Sequence, residues 1–340
     1  MAADADNTIY IRKNIVARVV ENLPVLFVTL RNRTTSTSPT EYFGKTRGQL
    51  RAGTCTVSFS PIWSLEKIAE AVPFHIYDEK IDLTGIGEIS LENFYNEISS
   101  FAQNDNGNIV IYIHGYNIDF AKSCRQAAIF QRALGLHDRL ILFSWPADGN
   151  MLKYTWDESD LIWSVPHMVQ LFEEIAQRTG KAKVDIVAHS LGARGAVQAL
   201  ARIGYRDSAT SIVNELVLIA PDIDSDVFRQ ELPLIQRTAN RITVYVSEND
   251  KALRLSQEVH GYPRLGMSGE YLTVLKGVET IDISLIGTRR ISGHLYHLFN
   301  PEVIEDLTSL LHTGESAHKR PSLKIMERNG LPYWQMIPER

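Results

Sequence analysis

The chain has 340 residues, 44% of them apolar and 22% charged, with a formal net charge of −5. This is the composition of a soluble globular protein, and it excludes a disordered or fibrous chain. The mild acidity, with no Lys/Arg-rich run, excludes bulk nucleic-acid binding, and no apolar stretch approaches the ~18 residues a membrane-spanning helix needs. Cys55 and Cys124 are the only cysteines, so a disulfide framework is at most one bridge.

The opening Met1-Ala2-Ala3-Asp4-Ala5-Asp6 is acidic and lacks the basic start and apolar core of a signal peptide, so a cytoplasmic location is expected. Val25–Leu30 and Thr54–Phe59 read as strands, and residues 31–53 between them, rich in Arg, Thr, Ser and Gly, read as a long loop. Gly44-Lys45-Thr46 resembles the end of a phosphate-binding loop, but Pro39 stands where that motif needs its first glycine. Gly85-Ile86-Gly87 lacks the third glycine of a dinucleotide fingerprint. Further strands follow at Ile109–Ile113, Leu140–Phe143, Val184–Val187, Leu216–Ile219 and Ile242–Val246. Most are continuous apolar runs, as in strands buried on both faces of a parallel sheet. The gaps between them, roughly 20 to 40 residues, have room for crossover helices. One such helix starts near Asp119 and ends before Gly135; another runs from the start signal Ser164-Val165-Pro166 to Gly180. Thr280–Ile283 is a last strand and Pro301–Leu311 a closing helix. The expected architecture is one α/β domain with an open, mostly parallel, doubly wound sheet and helices on both faces. Its core spans about residues 24–312, with residues 1–23 and the polar, proline-interrupted tail 313–340 peripheral.

The chemistry concentrates where Val184–Val187 runs into Ala188-His189-Ser190-Leu191-Gly192, with a small-residue helix directly after. This strand–turn–helix placement is that of a nucleophile elbow, G-x-S-x-G, with Ala188 in place of the first glycine. A serine hydroxyl needs a base to take its proton, and the base needs a third group to set its tautomer. Chains with this elbow carry the acid and then the histidine downstream of the serine. Asp250, in the loop after Ile242–Val246, is the leading acid; Asp222 and Asp224, after Leu216–Ile219, are the alternatives, and Glu248 is a neighbour to test. His294 is the leading base and His297 the alternative, while His260 precedes the last strand and is misplaced. The three-residue spacing of His294 and His297 suits a metal, but no Cys or HExxH pattern accompanies it, so neither metal nor cofactor is expected.

Negative charge on a tetrahedral intermediate needs amide donors, and the backbone N–H groups of Tyr116 and Leu191 are the expected oxyanion pair. His114 reads as a structural histidine. Trp145, Tyr154, Trp156 and Trp163 read either as pocket lining or as packing.

Together, His114-Gly115-Tyr116-Asn117, Phe143-Ser144-Trp145-Pro146, Ala188-His189-Ser190-Leu191-Gly192, Ala220-Pro221-Asp222-Ile223-Asp224 and the run Tyr245–Leu253 resemble a mostly bacterial branch of the α/β-hydrolase superfamily. The members of that branch are of unknown function or are labelled esterase or lipase. The similarity extends to Phe43-Gly44, to Gly53–Val57 and to Gly293-His294, and so covers roughly residues 25–300. It implies serine-hydrolase activity, most often on carboxylic esters, with a small-molecule or lipid-like ester as substrate. Ser190, Asp250 and His294 fall at the family's triad positions. Thioesterase, amidase, lactonase or acyltransferase chemistry uses the same residues, and a non-catalytic binding module on the same fold is the rival of another class. The oligomeric state is not legible.

Overall fold

A computed structural model of the chain describes residues 20–61, 79–104, 108–136, 139–148, 154–179, 184–206, 208–286 and 293–338. The strands are β1 (Glu21–Arg33), β2 (Phe43–Pro61), β3 (Glu79–Ile89), β4 (Ile109–Ile113), β5 (Leu140–Ser144), β6 (Val184–His189), β7 (Val213–Ile219), β8 (Ala239–Val246), β9 (Glu279–Asp282), β10 (Leu323–Arg328) and β11 (Leu331–Met336). The helices are α1 (Leu91–Asn104), α2 (Phe120–Ala133), α3 (Tyr154–Thr179), α4 (Leu191–Gly204), α5 (Ser225–Ile235), α6 (Lys251–His260), α7 (Tyr296–Phe299) and α8 (Pro301–Thr313).

All the strands join one sheet in the order β10-β11-β9-β8-β7-β6-β4-β5-β1-β2-β3. From β1 through β5, β4, β6, β7 and β8 to β9 every neighbour pair is parallel, while β1–β2, β2–β3 and β10–β11 are antiparallel. The mostly parallel α/β sheet expected from the apolar runs is present. Every residue of β4, β5 and β6 is buried, because helices cover both faces. Ile109, Ile111 and Ile113 face one core with Phe94 and Ile98 of α1 and Val165, Met168 and Phe172 of α3. Val110 and Tyr112 face the other, with Phe120, Cys124 and Ala127 of α2 and Leu307 of α8. The period-two alternation of strand side chains makes this division. Among the described residues no helix is long and apolar enough to cross a membrane, and both cysteines are buried and free.

Three expectations are corrected. Residues 31–53 are not one loop: β1 runs on to Arg33 and β2 begins at Phe43, paired from Glu21↔Phe59 to Arg33↔Phe43 with bulges between Thr29/Arg31 and Arg31/Arg33. The Arg- and Gly-rich composition belongs to an irregular antiparallel ladder with polar residues on its exposed side, and bulges tolerate that pattern. The helix expected from Ser164 begins at Tyr154 and carries Pro166 in its interior. Pro166 removes the bond to the carbonyl of Ile162, an exposed residue, and the buried Leu161, Val165, Met168 and Val169 offset the ~3 kcal/mol cost.

The third correction concerns the tail. β11 pairs in parallel with β9 through Trp334↔Ile281, so the segment beyond Thr313 extends the sheet rather than lying apart from it. Arg320 anchors it from a fully buried position, donating to Asp306 Oδ2 (2.7 Å), Tyr245 Oη (3.1 Å) and Glu279 Oε2 (3.1 Å). Arg320→Ala leaves the buried Asp306 carboxylate without its cation, held only by the Tyr245 and Ser322 hydroxyls, so urea unfolding should show a loss of about 3–5 kcal/mol, much of it recovered in Arg320→Ala/Asp306→Ala.

Candidate active site

The strand order reverses around β4: β5 is added on one side and β6 on the other. Open α/β sheets form their crevice at such a switch point, outside the carboxyl ends of the strands. The loop His114–Ile118 leaves β4 there, and Ser190 leaves β6 beside it. Gly115 lies against the serine, since a Cβ on it would come within 3.0 Å of Ser190 Cβ and 2.8 Å of His189 Nδ1.

Ser190 has φ 53° and ψ −123°, a conformation that costs a non-glycine residue about 1–3 kcal/mol and persists only where surroundings enforce it. Here the enforcement comes from the end of β7. Ser190 N–H donates to Ile219 O (2.9 Å), and Ser190 O accepts from Asp222 N–H and Ala193 N–H, both at 3.1 Å. Gly192 is required by close approach, because a Cβ on it would sit 2.3 Å from His114 O. Gly192→Ala should therefore cost about 1–3 kcal/mol in thermal or urea unfolding, since the nearest atom is backbone and has little room to yield.

Asp250 and His294 meet at the neighbouring strand ends. Asp250 is the N-cap of α6: its Oδ1 accepts from Ala252 N–H (3.0 Å) and Leu253 N–H (3.1 Å). That leaves Oδ2 to accept from His294 Nδ1–H at 2.7 Å. One carboxylate thus caps a helix with one oxygen and fixes an imidazole tautomer with the other, leaving Nε2 the unprotonated nitrogen of the neutral ring. The Asp250 side chain is 0% exposed and that of His294 15%. Burial alone would lower the His294 pKa, but the Asp250 charge and hydrogen bond outweigh it and hold the pKa above the ordinary histidine value. His294 lies against the elbow: its ring centroid is 4.6 Å from that of His189, and its carbonyl accepts from His189 Nε2–H at 3.0 Å.

The other histidines are placed differently. His114 is fully buried, stacks on Trp145 (5.2 Å, 13°) and donates from Nδ1 to Gly115 O (2.8 Å); burial and Arg31 push its pKa down to about 3. His297 shares a hydrogen bond with Tyr112 Oη (3.1 Å), and burial pushes its pKa to about 3. His189 is held well below the ordinary value by burial and by its histidine neighbours. His260 pairs through Nε2 with Glu158 (3.0 Å), away from Asp250.

Asp222, the alternative acid, is engaged elsewhere. Its carboxylate accepts from Arg264 Nε (2.8 Å), Ser256 Oγ (2.6 Å) and Tyr154 Oη (2.5 Å). Burial opposes its ionisation, but Arg194 and Arg264 with those hydrogen bonds win and lower its pKa. Asp224 caps α5. Of the aromatic residues, Trp145 is core and donates to His114 O (2.9 Å), Trp156 is exposed, and Tyr154 packs edge-on against Tyr116 (5.1 Å). Among the described residues no group of three or more His, Cys, Asp or Glu is placed to hold a metal ion.

Sequence reasoning missed Arg31, Ser144 and Asp157, which converge behind the His114–Ile118 loop. The one available signal was an arginine directly after the run Val25–Leu30 of β1.

Comparison with known proteins gives a family match: residues 91–312, about two thirds of the chain, fit the description "Alpha/beta hydrolase of unknown function (DUF900)". An uncharacterized protein of Nostoc sp. is 26% identical over 109 residues, and that match spans 25% of this chain and 28% of the relative's length. A solved esterase of Pyrobaculum calidifontis aligns over 91% of this chain and 90% of its own at 12% identity, with a TM-score of 0.35. A cold-adapted esterase from an Arctic intertidal metagenomic library aligns over 87% and 96% at 10% identity, with a TM-score of 0.39. With superpositions this loose, the fold assignment rests on the strand order and the family match.

Proposed function

The chain belongs to the alpha/beta hydrolase family of unknown function DUF900, and from that premise we propose that it is a serine hydrolase cleaving carboxylic esters through Ser190, His294 and Asp250. The observation that carries this reading is the 2.7 Å bond from His294 Nδ1–H to Asp250 beside a serine held at φ 53°.

In the proposed cycle, Ser190 Oγ attacks the acyl carbonyl while His294 Nε2 takes its proton, and Asp250 stabilises the imidazolium that forms. The Tyr116 and Leu191 backbone amides receive the oxyanion; the approach of Gly115 to Ser190 supports the first, and the position of Leu191 directly after the nucleophile supports the second. Collapse of the tetrahedral intermediate transfers the proton from His294 to the leaving alcohol and leaves an acyl-serine. Water then attacks with His294 again as base, releasing the acid.

A p-nitrophenyl ester series from acetate to palmitate tests the substrate class. Steady turnover with an initial nitrophenolate burst is expected on at least one member, and the best chain length separates a small-ester enzyme from a lipase. No turnover on any ester, with cleavage of the matching thioesters, would replace the ester assignment by a thioesterase.

A further inference from the structure

Among the described residues, Arg31 is a buried cation whose hydrogen bonds go to neutral acceptors. It lies on β1, its side chain is 0% exposed, and burial lowers its pKa to about 10 against the pull of Asp119 and Asp157. Its five N–H groups all find acceptors. Nε donates to Ser144 Oγ (3.0 Å), Nη1 to Ala147 O (2.9 Å) and Gly44 O (3.5 Å), and Nη2 to Ile118 O (2.6 Å) and His114 Nε2 (3.5 Å). Asp157, in the first turn of α3 and also 0% exposed, grips the same two loops by their amides. Its Oδ2 accepts from Asn117 N–H (3.1 Å) and its Oδ1 from Asp148 N–H (2.8 Å).

The cation therefore holds carbonyls, and the anion amides, of the loop after β4 and the loop after β5. Between the two grips lies the Gly115–Tyr116 peptide. A peptide unit is planar and trans, so Gly115 O and Tyr116 N–H point in opposite directions from one plane. His114 Nδ1–H fixes that oxygen at 2.8 Å, and Arg31 faces the other nitrogen of the same ring. On the far side Asn117, at φ 59°, is tied to Asp157.

We propose that Arg31 and Asp157 are positioning residues which, acting through His114 and Asn117, hold the Gly115–Tyr116 peptide so that the Tyr116 amide faces the oxyanion. The proposal rests on the reading of Tyr116 given above. A purely structural role accounts for it less well, because buried ions replaced by apolar residues are often neutral or stabilising overall. Here the charges are spent on two loops beside the nucleophile, one of which touches Ser190.

The test uses the full chain as wild type, Arg31→Met, Arg31→Lys and Asp157→Asn. Each is assayed for kcat and KM on the best p-nitrophenyl ester and for affinity toward a trifluoromethyl ketone that adds to the serine as a hemiketal oxyanion. Arg31→Met is expected to lower kcat about 10- to 100-fold at nearly constant KM, less than the ~10²–10³ for losing a donor outright, with ketone affinity falling by a similar factor. Arg31→Lys should recover part of this. Asp157→Asn, nearly isosteric, retains one acceptor and should lose about 10-fold.

Folded variants whose kcat and ketone affinity stay within about twofold of wild type, or whose loss lies in KM alone, would overturn the proposal. Hydrogen exchange of the 114–118 amides separates this from failure of the functional reading. Faster exchange than wild type in Arg31→Met and Asp157→Asn is expected even if the wild type hydrolyses no ester, and unchanged exchange overturns the clamp. A ketone that does not bind wild type counts against the serine-hydrolase reading.

Discussion

Ser190→Ala should reduce ester turnover by about 10⁶-fold, to the ~10³–10⁴-fold acceleration over water that binding and amide donors alone sustain. KM, where still measurable, should rise toward the substrate dissociation constant, because no acyl-enzyme accumulates in the variant. The fold should persist: Ala keeps the Cβ, and the backbone bonds to Ile219, Asp222 and Ala193 do not involve the side chain. Ser190→Gly should be equally inactive yet more stable by about 1 kcal/mol, because glycine accepts φ 53° without strain. Parallel thermal melts and turnover assays check both statements. Loss of activity with a collapse in melting temperature would point to structural damage, whereas loss with intact melting points to the hydroxyl.

Asp250→Asn is expected to be less severe, with kcat lower by about 10⁴-fold, because an amide in place of the carboxylate favours the wrong imidazole tautomer and leaves the imidazolium unpaired. Its pH profile gives a second signature. His294 must be neutral to act as a base, and its pKa lies above the ordinary histidine value. In wild type, kcat/KM should therefore fall as pH drops through a point above about 6.5. Removing the Asp250 charge leaves burial as the dominant influence, so the acid limb should move to lower pH. An unmoved limb would mean that another group sets it. The same pair bears on stability: a raised folded-state pKa contributes stability that is fully present below the unfolded value and is lost as pH rises through the folded one. Wild type should show that loss on the alkaline side of the histidine range and Asp250→Asn should not. Asp250→Ala should cost a further ~1 kcal/mol through the lost cap of α6.

What the sequence makes legible follows from where burial is two-sided. β4, β5 and β6 announce themselves because helices cover both faces, so apolar residues run on without interruption. The elbow is legible because Ser190 needs small neighbours immediately after a strand, and Gly192 leaves that mark. The edge strands are not legible in this way. β2 and β3 carry polar residues on exposed positions and bulges that break the period, so β2 reads in part as loop and β3 leaves no clear run. Pro166 imitates a helix start because propensity registers the missing N–H, whereas burial of Leu161 and Val165 carries α3 through it.

The candidate site divides similarly. Asp250 and Asp222 both end strands and both are buried, so strand order alone does not choose between them. They differ in their partners: Arg264, Ser256 and Tyr154 occupy Asp222, whereas Asp250 caps α6 with one oxygen and accepts from His294 with the other. Arg31 and Asp157 are invisible to spacing, because their common targets lie on two loops that only the sheet brings together.

Activation of Ser190 as a nucleophile is read out by covalent labelling with a fluorophosphonate, mapped by mass spectrometry. A single adduct is expected on the peptide containing Ser190, absent in Ser190→Ala and markedly slowed in His294→Gln and Asp250→Asn. A folded wild-type chain that stays unlabelled, or one labelled at another residue at the same rate in all three variants, would contradict it.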